Sequence, residues 1–141
     1  MLSFEVERMI AAPADRIWAI LTDAEALVRG GLGVTRIDGR IEEGAQIKLW
    51  SEAAPDRAFP LRVTAWAPPR RMVWQGGMPF GLFRGVREFT LDDADGGVRF
   101  HMREVYSGPM LGLIAKSMPD LSPSFETFAR GLQKLSETTR P

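Results

Sequence analysis

Between residues 34 and 106 the chain divides into short runs of alternating apolar and polar residues, each followed by a few residues that turn the backbone. Only after residue 120 does a long helical pattern set in. The alternating runs cover residues 34–41, 45–51, 59–66, 71–75, 84–91 and 98–106, and alternation of period two is the signature of a strand with one buried face. Their separators Glu42-Glu43-Gly44, Pro55-Asp56, Pro68-Pro69 and the acidic, glycine-ended stretch 92–97 are short and turn-prone. Successive strands are therefore expected to pair as hairpins in an antiparallel meander.

Residues 3–10 form one more such run, with Phe4, Val6 and Ile10 on one face and Ser3, Glu5 and Glu7 on the other. Ala11-Ala12-Pro13 ends it, and Pro13 is placed at the first turn of a helix that carries Ile17, Trp18 and Leu21 on one side. A second short helix is expected over 23–28. At the other end Leu121, Phe125, Phe128, Leu132 and Leu135 recur at helical spacing, leaving Glu126, Arg130, Lys134 and Glu137 for solvent. Ser122 is the expected N-cap of this helix and Pro123 its first residue. The apolar piece 110–118 is expected to form a separate helical segment, because Pro119 and Pro123 interrupt continuous helix.

A sheet with one apolar face must cover it, and the C-terminal helix is the only element long enough to do so. The predicted fold is α+β: a curved seven-stranded antiparallel sheet wrapped on a long C-terminal helix, with two short helices after the first strand. The 141 residues make one domain, 1–141. A strongly curled sheet is expected to enclose more volume than one helix fills, which leaves an apolar cavity for a small hydrophobic molecule.

Pro13 with Ile17-Trp18 after an alternating strand, Gly44 opening a strand, the run Ala67-Pro68-Pro69-Arg70-Arg71-Met72-Val73-Trp74, and Gly96-Gly97 before a strand ending Glu104-Val105-Tyr106-Ser107-Gly108 together resemble the START-like (SRPBCC) superfamily. That group includes birch-pollen-allergen-type carriers, lipid-transfer domains, polyketide cyclase/dehydratase relatives and heat-shock ATPase activators. The resemblance covers nearly the whole chain and implies the helix-grip fold. Pro119 and Pro123 depart from it, since the family usually has continuous helix there.

Eighteen basic and eighteen acidic residues leave no net charge to steer the chain toward nucleic acid or an anionic membrane. Without cysteine there is no thiolate nucleophile, disulfide or Cys-ligated metal. A signal sequence and a membrane span are not visible, so a cytoplasmic protein without membrane insertion is expected. The single histidine, His101, has outward parity beside Arg99 and Arg103, which argues against a catalytic base; no metal and no cofactor is expected.

Three charges fall on inner faces. Arg8 is in step with Phe4, Val6 and Ile10, Arg87 with Phe89 and Leu91, and Glu104 with Phe100, Met102 and Tyr106. Strand order is expected to bring the three together, either as an ion-pair network bracing the sheet or as the group that orients a ligand's polar end. The expected cavity lining is Arg8, Leu49, Met72, Trp74, Phe80, Phe83, Arg87, Phe89, Phe100, Met102, Glu104, Met118, Phe125 and Phe128. Residues 76–83 are read as a flap over the mouth, with 110–118 as the opposite lip; Trp50 and Trp66 are placed on the convex face, as a homodimer contact or a hairpin pair.

Three functions are consistent with these features: a carrier for a lipid, polyketide or aromatic metabolite; a metal-free cyclase or dehydratase using Glu104 with Arg87 or Arg8; and a protein-binding module.

Overall fold

The computed structural model describes residues 1–138. Its order is β1 (Leu2–Ile10), α1 (Ala14–Leu21), α2 (Ala24–Arg29), β2 (Val34–Asp38), β3 (Gln46–Ser51), β4 (Ala54–Ala67), β5 (Arg71–Gly77), a 3-10 turn (Pro79–Gly81), β6 (Arg84–Ala94), β7 (Gly97–Ser107), α3 (Leu111–Ala115) and α4 (Ser122–Glu137). One antiparallel sheet runs β1-β7-β6-β5-β4-β3-β2. It is the expected helix-grip arrangement, with the sheet curled around α4.

Several element ends differ from the sequence reading. The β3–β4 hairpin turns at Glu52-Ala53, with Ser51 opposite Ala54, so Pro55-Asp56 lies inside β4. β2 stops at Asp38, and α2 starts one residue later than expected because Asp23 caps it, accepting from Glu25 N and Ala26 N. Ser122 is the first residue of α4 rather than its cap; its amide donates to Asp120 Oδ1 at 3.0 Å, so the aspartate supplies the cap's acceptor. The prolines do separate α3 from α4.

The core joins the concave face of the sheet to α4 and the two N-terminal helices. Ile10, Ile17, Leu21, Leu27, Val63, Met72, Phe89, Leu91, Phe100, Met102 and Leu132 have no exposed surface. α4 is tied at its C-terminal end: Arg16 Nε donates to Ser136 O at 2.6 Å, and Ala11 N donates to Glu137 Oε2 at 2.8 Å.

Trp66 is where the strand alternation misleads. A bulge in β4 between Thr64 and Ala67, with Ala65 at φ +52°, reverses parity. Trp66 consequently turns inward against Trp18, ring centroids 5.3 Å apart. Trp50 is half-buried beneath the Arg36 guanidinium, 4.7 Å from the ring centroid. The two indoles do not form a shared convex patch.

Candidate functional site

Arg87 and Glu104 are direct partners across β6 and β7. The guanidinium donates to Glu104 Oε1 from Nε at 2.7 Å and from Nη2 at 2.6 Å, and these side chains are only 22% and 13% exposed. Phe125 of α4 covers the pair, with the guanidinium carbon 4.8 Å from its ring centroid. On the other side of Arg87 its strand partner is Trp74, and beyond Glu104 stands Phe4 of β1.

Two residues complete this group without having been singled out as site residues. Tyr106, two positions from Glu104 and so on the same face, is buried, stacks on Phe83 at 5.7 Å and meets Phe4 edge-on at 6.3 Å. Burial, seconded by the Glu104 charge, holds its phenol well above the ordinary tyrosine range, so it is an O–H donor throughout the physiological range. Gly85 faces Tyr106 and leaves room for it: a Cβ there would stand 2.9 Å from Glu104 Oε2 and 3.1 Å from the tyrosine ring. A glycine in a strand signals such close approach.

Trp74 is 1% exposed, and its indole Nε1 is buried with no hydrogen-bond partner. Its ring lies against Phe89 at 4.6 Å. Leaving such a donor unpaired costs about 1–3 kcal/mol, and buried indole N–H groups ordinarily find an acceptor.

Arg8 does not join the group. It is four residues along β1 from Phe4, about 13 Å at strand rise, and its guanidinium bonds Gln133 Oε1 and lies 3.8 Å from Glu126. It braces β1 on α4. The network expected from the sequence is thus two separate contacts, because strand-face parity says nothing about distance along the strand.

The expected cavity is filled in this conformation. Met72, Phe89, Phe100 and Met102 have no accessible surface and so border no hollow that admits water; Trp74, Phe125 and Phe128 keep 1–3% and Leu49 8%. The rings interlock, Phe89 lying 6.0 Å and Phe100 6.3 Å from Phe128. The physical reason is side-chain size: four aromatic rings and two thioethers from β5–β7, with two phenylalanines from α4, take up what the curl of the sheet encloses. Phe83 and Met118 are half-buried, whereas Phe80, expected in the lining, is 99% exposed.

Two hollows lie elsewhere. An open cleft of about 540 Å³ sits at the far end of the strands, between residues 11–15, Pro69, Arg70, Asp93 and Gly97. Its one arginine is already held by Asp93, at 2.8 and 3.1 Å. A shallow hollow of about 130 Å³ lies on the convex face beside Arg71 and Glu88. His101, outward as expected, is 2.7 Å from Glu5 Oε2. Among the described residues no cluster of His, Cys, Asp or Glu could hold a metal, and no helix is long and apolar enough to cross a membrane.

Residues 1–137 match the model of a family described as polyketide cyclase / dehydrase and lipid transport. No curated protein matches the chain. A solved structure of a Mesorhizobium loti protein superposes with a TM-score of 0.74 at 18% identity, covering 99% of this chain and 100% of that one. A Thermus thermophilus protein gives 0.73 at 21% identity, covering 96% and 97%. The di-domain ARO/CYC protein StfQ of the steffimycin biosynthetic pathway gives 0.70 at 15% identity, covering 96% of this chain and 50% of that one. At these identities the likeness is one of fold.

Proposed function

The chain belongs to the polyketide cyclase / dehydrase and lipid transport family of the START-like superfamily, and from that footing we propose that it is a binding domain for a small, largely apolar molecule bearing an oxygen acceptor at one end. The family assigns a ligand-binding or cyclase-like role. The observation that carries the finer reading is the unpaired indole N–H of Trp74, beside the Arg87–Glu104 pair. Trp74 is the strand partner of Arg87, and Arg87 is that of Glu104, two residues from Tyr106, so three donor-bearing side chains fall in one region of the inner face, which suits a carbonyl, carboxylate or phenolic oxygen on a greasy body.

Because the interior is closed, the ligand must part the elements that hold it least. The 3-10 turn Pro79–Gly81 and α3 contain no buried residue, and elements with few buried contacts open at the lowest cost. Both lie at the Tyr106 end of the sheet, which makes that end the way in.

A cyclase or dehydratase reading with Glu104 as proton carrier has less support. Its Oε1 accepts both contacts from Arg87 and its Oε2 lies against Gly85, so neither carboxylate oxygen opens onto a hollow that could hold a substrate in this conformation. A protein-contact reading with Trp50 and Trp66 as anchors loses its basis, since Trp66 is packed on Trp18 and Trp50 lies under Arg36.

The test is calorimetric titration with oleate and with naringenin, a fatty acid and a flavonoid, together with thermal melts and the Trp74→Phe variant. Saturable binding with a raised melting temperature is expected for at least one of them. Trp74→Phe should weaken that binding about tenfold, the worth of one hydrogen bond of about 1.4 kcal/mol, while the unliganded stability changes by no more than about 1 kcal/mol. Absence of saturable binding and of any thermal shift with both probes would overturn the proposal.

A further inference from the structure

The large apolar side chains left in solvent are concentrated at one end of the molecule. Met78, Phe80, Leu82 and Leu113 are 40%, 99%, 37% and 65% exposed, and they lie on two segments that meet where Met110 N donates to Leu82 O at 2.9 Å. Half-buried Leu111, Ile114 and Met118 extend the apolar surface. Phe80 is the extreme case. At φ +63° it occupies the left-handed region that a bulky residue avoids, and yet its ring is almost wholly in solvent. Among the described residues none covers the ring.

The two segments of the tip carry cations only, and the first carboxylate beyond them, Asp120, is engaged by the Ser122 amide at the start of α4. Residues 76–84 carry Arg84 alone and residues 107–119 carry Lys116 alone, with no carboxylate in either segment. Among the described residues neither cation takes part in an ion pair; the Arg84 guanidinium has a neutral partner, Gln75 Oε1, at 3.0 Å. The balanced charge of the whole chain conceals this local excess. An apolar tip flanked by cations is complementary to a surface that is anionic outside and apolar beneath, the arrangement of phosphate headgroups over acyl chains. A second copy of the same tip would bring like charges together and fits less well.

We propose that this end of the domain docks on an anionic phospholipid bilayer. Phe80 and Leu113 enter the boundary between headgroups and acyl chains, and Arg84 and Lys116 meet the phosphates. Attachment is peripheral. It does not depend on what occupies the interior, so it stands or falls separately from the ligand-binding proposal.

The test is flotation with vesicles of phosphatidylcholine alone and of phosphatidylcholine mixed with phosphatidylglycerol. The whole protein should float with the mixed vesicles, less with the neutral ones, and less again as salt is raised. Phe80→Asp and Leu113→Asp should each reduce binding about tenfold or more, from the apolar burial they remove; Lys116→Glu should lose the preference for phosphatidylglycerol. Met9→Asp, at an exposed methionine of β1, should bind as the unaltered protein does. Unchanged melting temperatures of the Phe80 and Leu113 variants would show that folding is intact, as the exposure of both residues leads one to expect. No flotation with either vesicle would overturn the proposal, as would equal binding by Phe80→Asp. So would a concentration-dependent dimer that Phe80→Asp dissolves in the absence of vesicle binding.

Discussion

Arg87 and Glu104 face each other across β6 and β7, and both guanidinium contacts, at 2.7 and 2.6 Å, fall on a single carboxylate oxygen. Phe125 lies over the guanidinium, so the pair is cut off from water on the α4 side. Removing one charge from such a pair leaves the other poorly solvated, which costs more than the pair itself contributes. Glu104→Gln should lower unfolding stability in urea by about 2 kcal/mol, and the double variant Arg87→Met/Glu104→Leu should recover about half of that. A double variant as unstable as the sum of its singles would show that the two residues act independently.

Tyr106 is the only tyrosine, so its ionisation can be followed by ultraviolet absorbance without interference from another phenol. Burial is the larger cause of its raised pKa and the Glu104 charge the next. Glu104→Gln should therefore bring the midpoint down without restoring it to the free value. The sign of the linked stability follows: the unfolded phenol ionises first, at about pH 10, so stability is fully present below that pH and is lost as pH rises toward the folded value. Steady stability across the alkaline range would contradict the burial of the hydroxyl.

How much of this was readable beforehand depended on whether the information was local. The strands, their antiparallel order and the amphipathic α4 follow from periodicity, because one buried face per element is written into each segment. The inner-face placement of Arg87, Glu104 and Trp74 followed from the same alternation. Trp66 did not, because its inward turn comes from a bulge centred on Ala65, a residue type that gives no sign of a positive φ. Asp120 displaced Ser122 as the acceptor at the start of α4 because either side chain has the reach, and sequence alone does not rank two neighbouring caps. The closed interior was the largest departure: whether Phe89, Phe100, Phe125 and Phe128 line a hollow or interlock depends on a few ångströms of sheet curvature, which no residue pattern encodes.

Glu137 links the last turn of α4 to the strand–helix corner. It accepts from Ala11 N at 2.8 Å and from Gln133 Nε2 at 3.1 Å, and the Ala11 contact, followed by that of Gln133, lowers its pKa. A carboxylate with a depressed folded pKa contributes stability that is present above its unfolded value and is lost as pH falls through the folded one. Thermal stability should thus decline below about pH 4.3, the ordinary glutamate value, and Glu137→Gln should flatten part of that decline while lowering stability at neutral pH. An identical acid profile in the variant would mean that the Ala11 contact does not persist in solution.

Ala65 stands in the left-handed region at φ +52°, inside the β4 bulge that turns Trp66 onto Trp18. Its side chain is exposed, so it contributes little by packing, and the cost of its backbone is about 1 kcal/mol relative to glycine. Glycine also loses more chain entropy on folding, which offsets part of that gain. Ala65→Gly is therefore expected to be neutral to stabilising by up to about 1 kcal/mol, where a glycine in an ordinary strand position would destabilise. Ala65→Val sharpens the comparison, since a β-branched residue tolerates this conformation least; it should destabilise by about 2 kcal/mol or more, and the bulge should relax so that Trp66 leaves the core. Tryptophan fluorescence would register that movement as a red shift, and an Ala65→Val protein as stable as the parent with an unshifted spectrum would mean that the bulge is not what directs Trp66 inward.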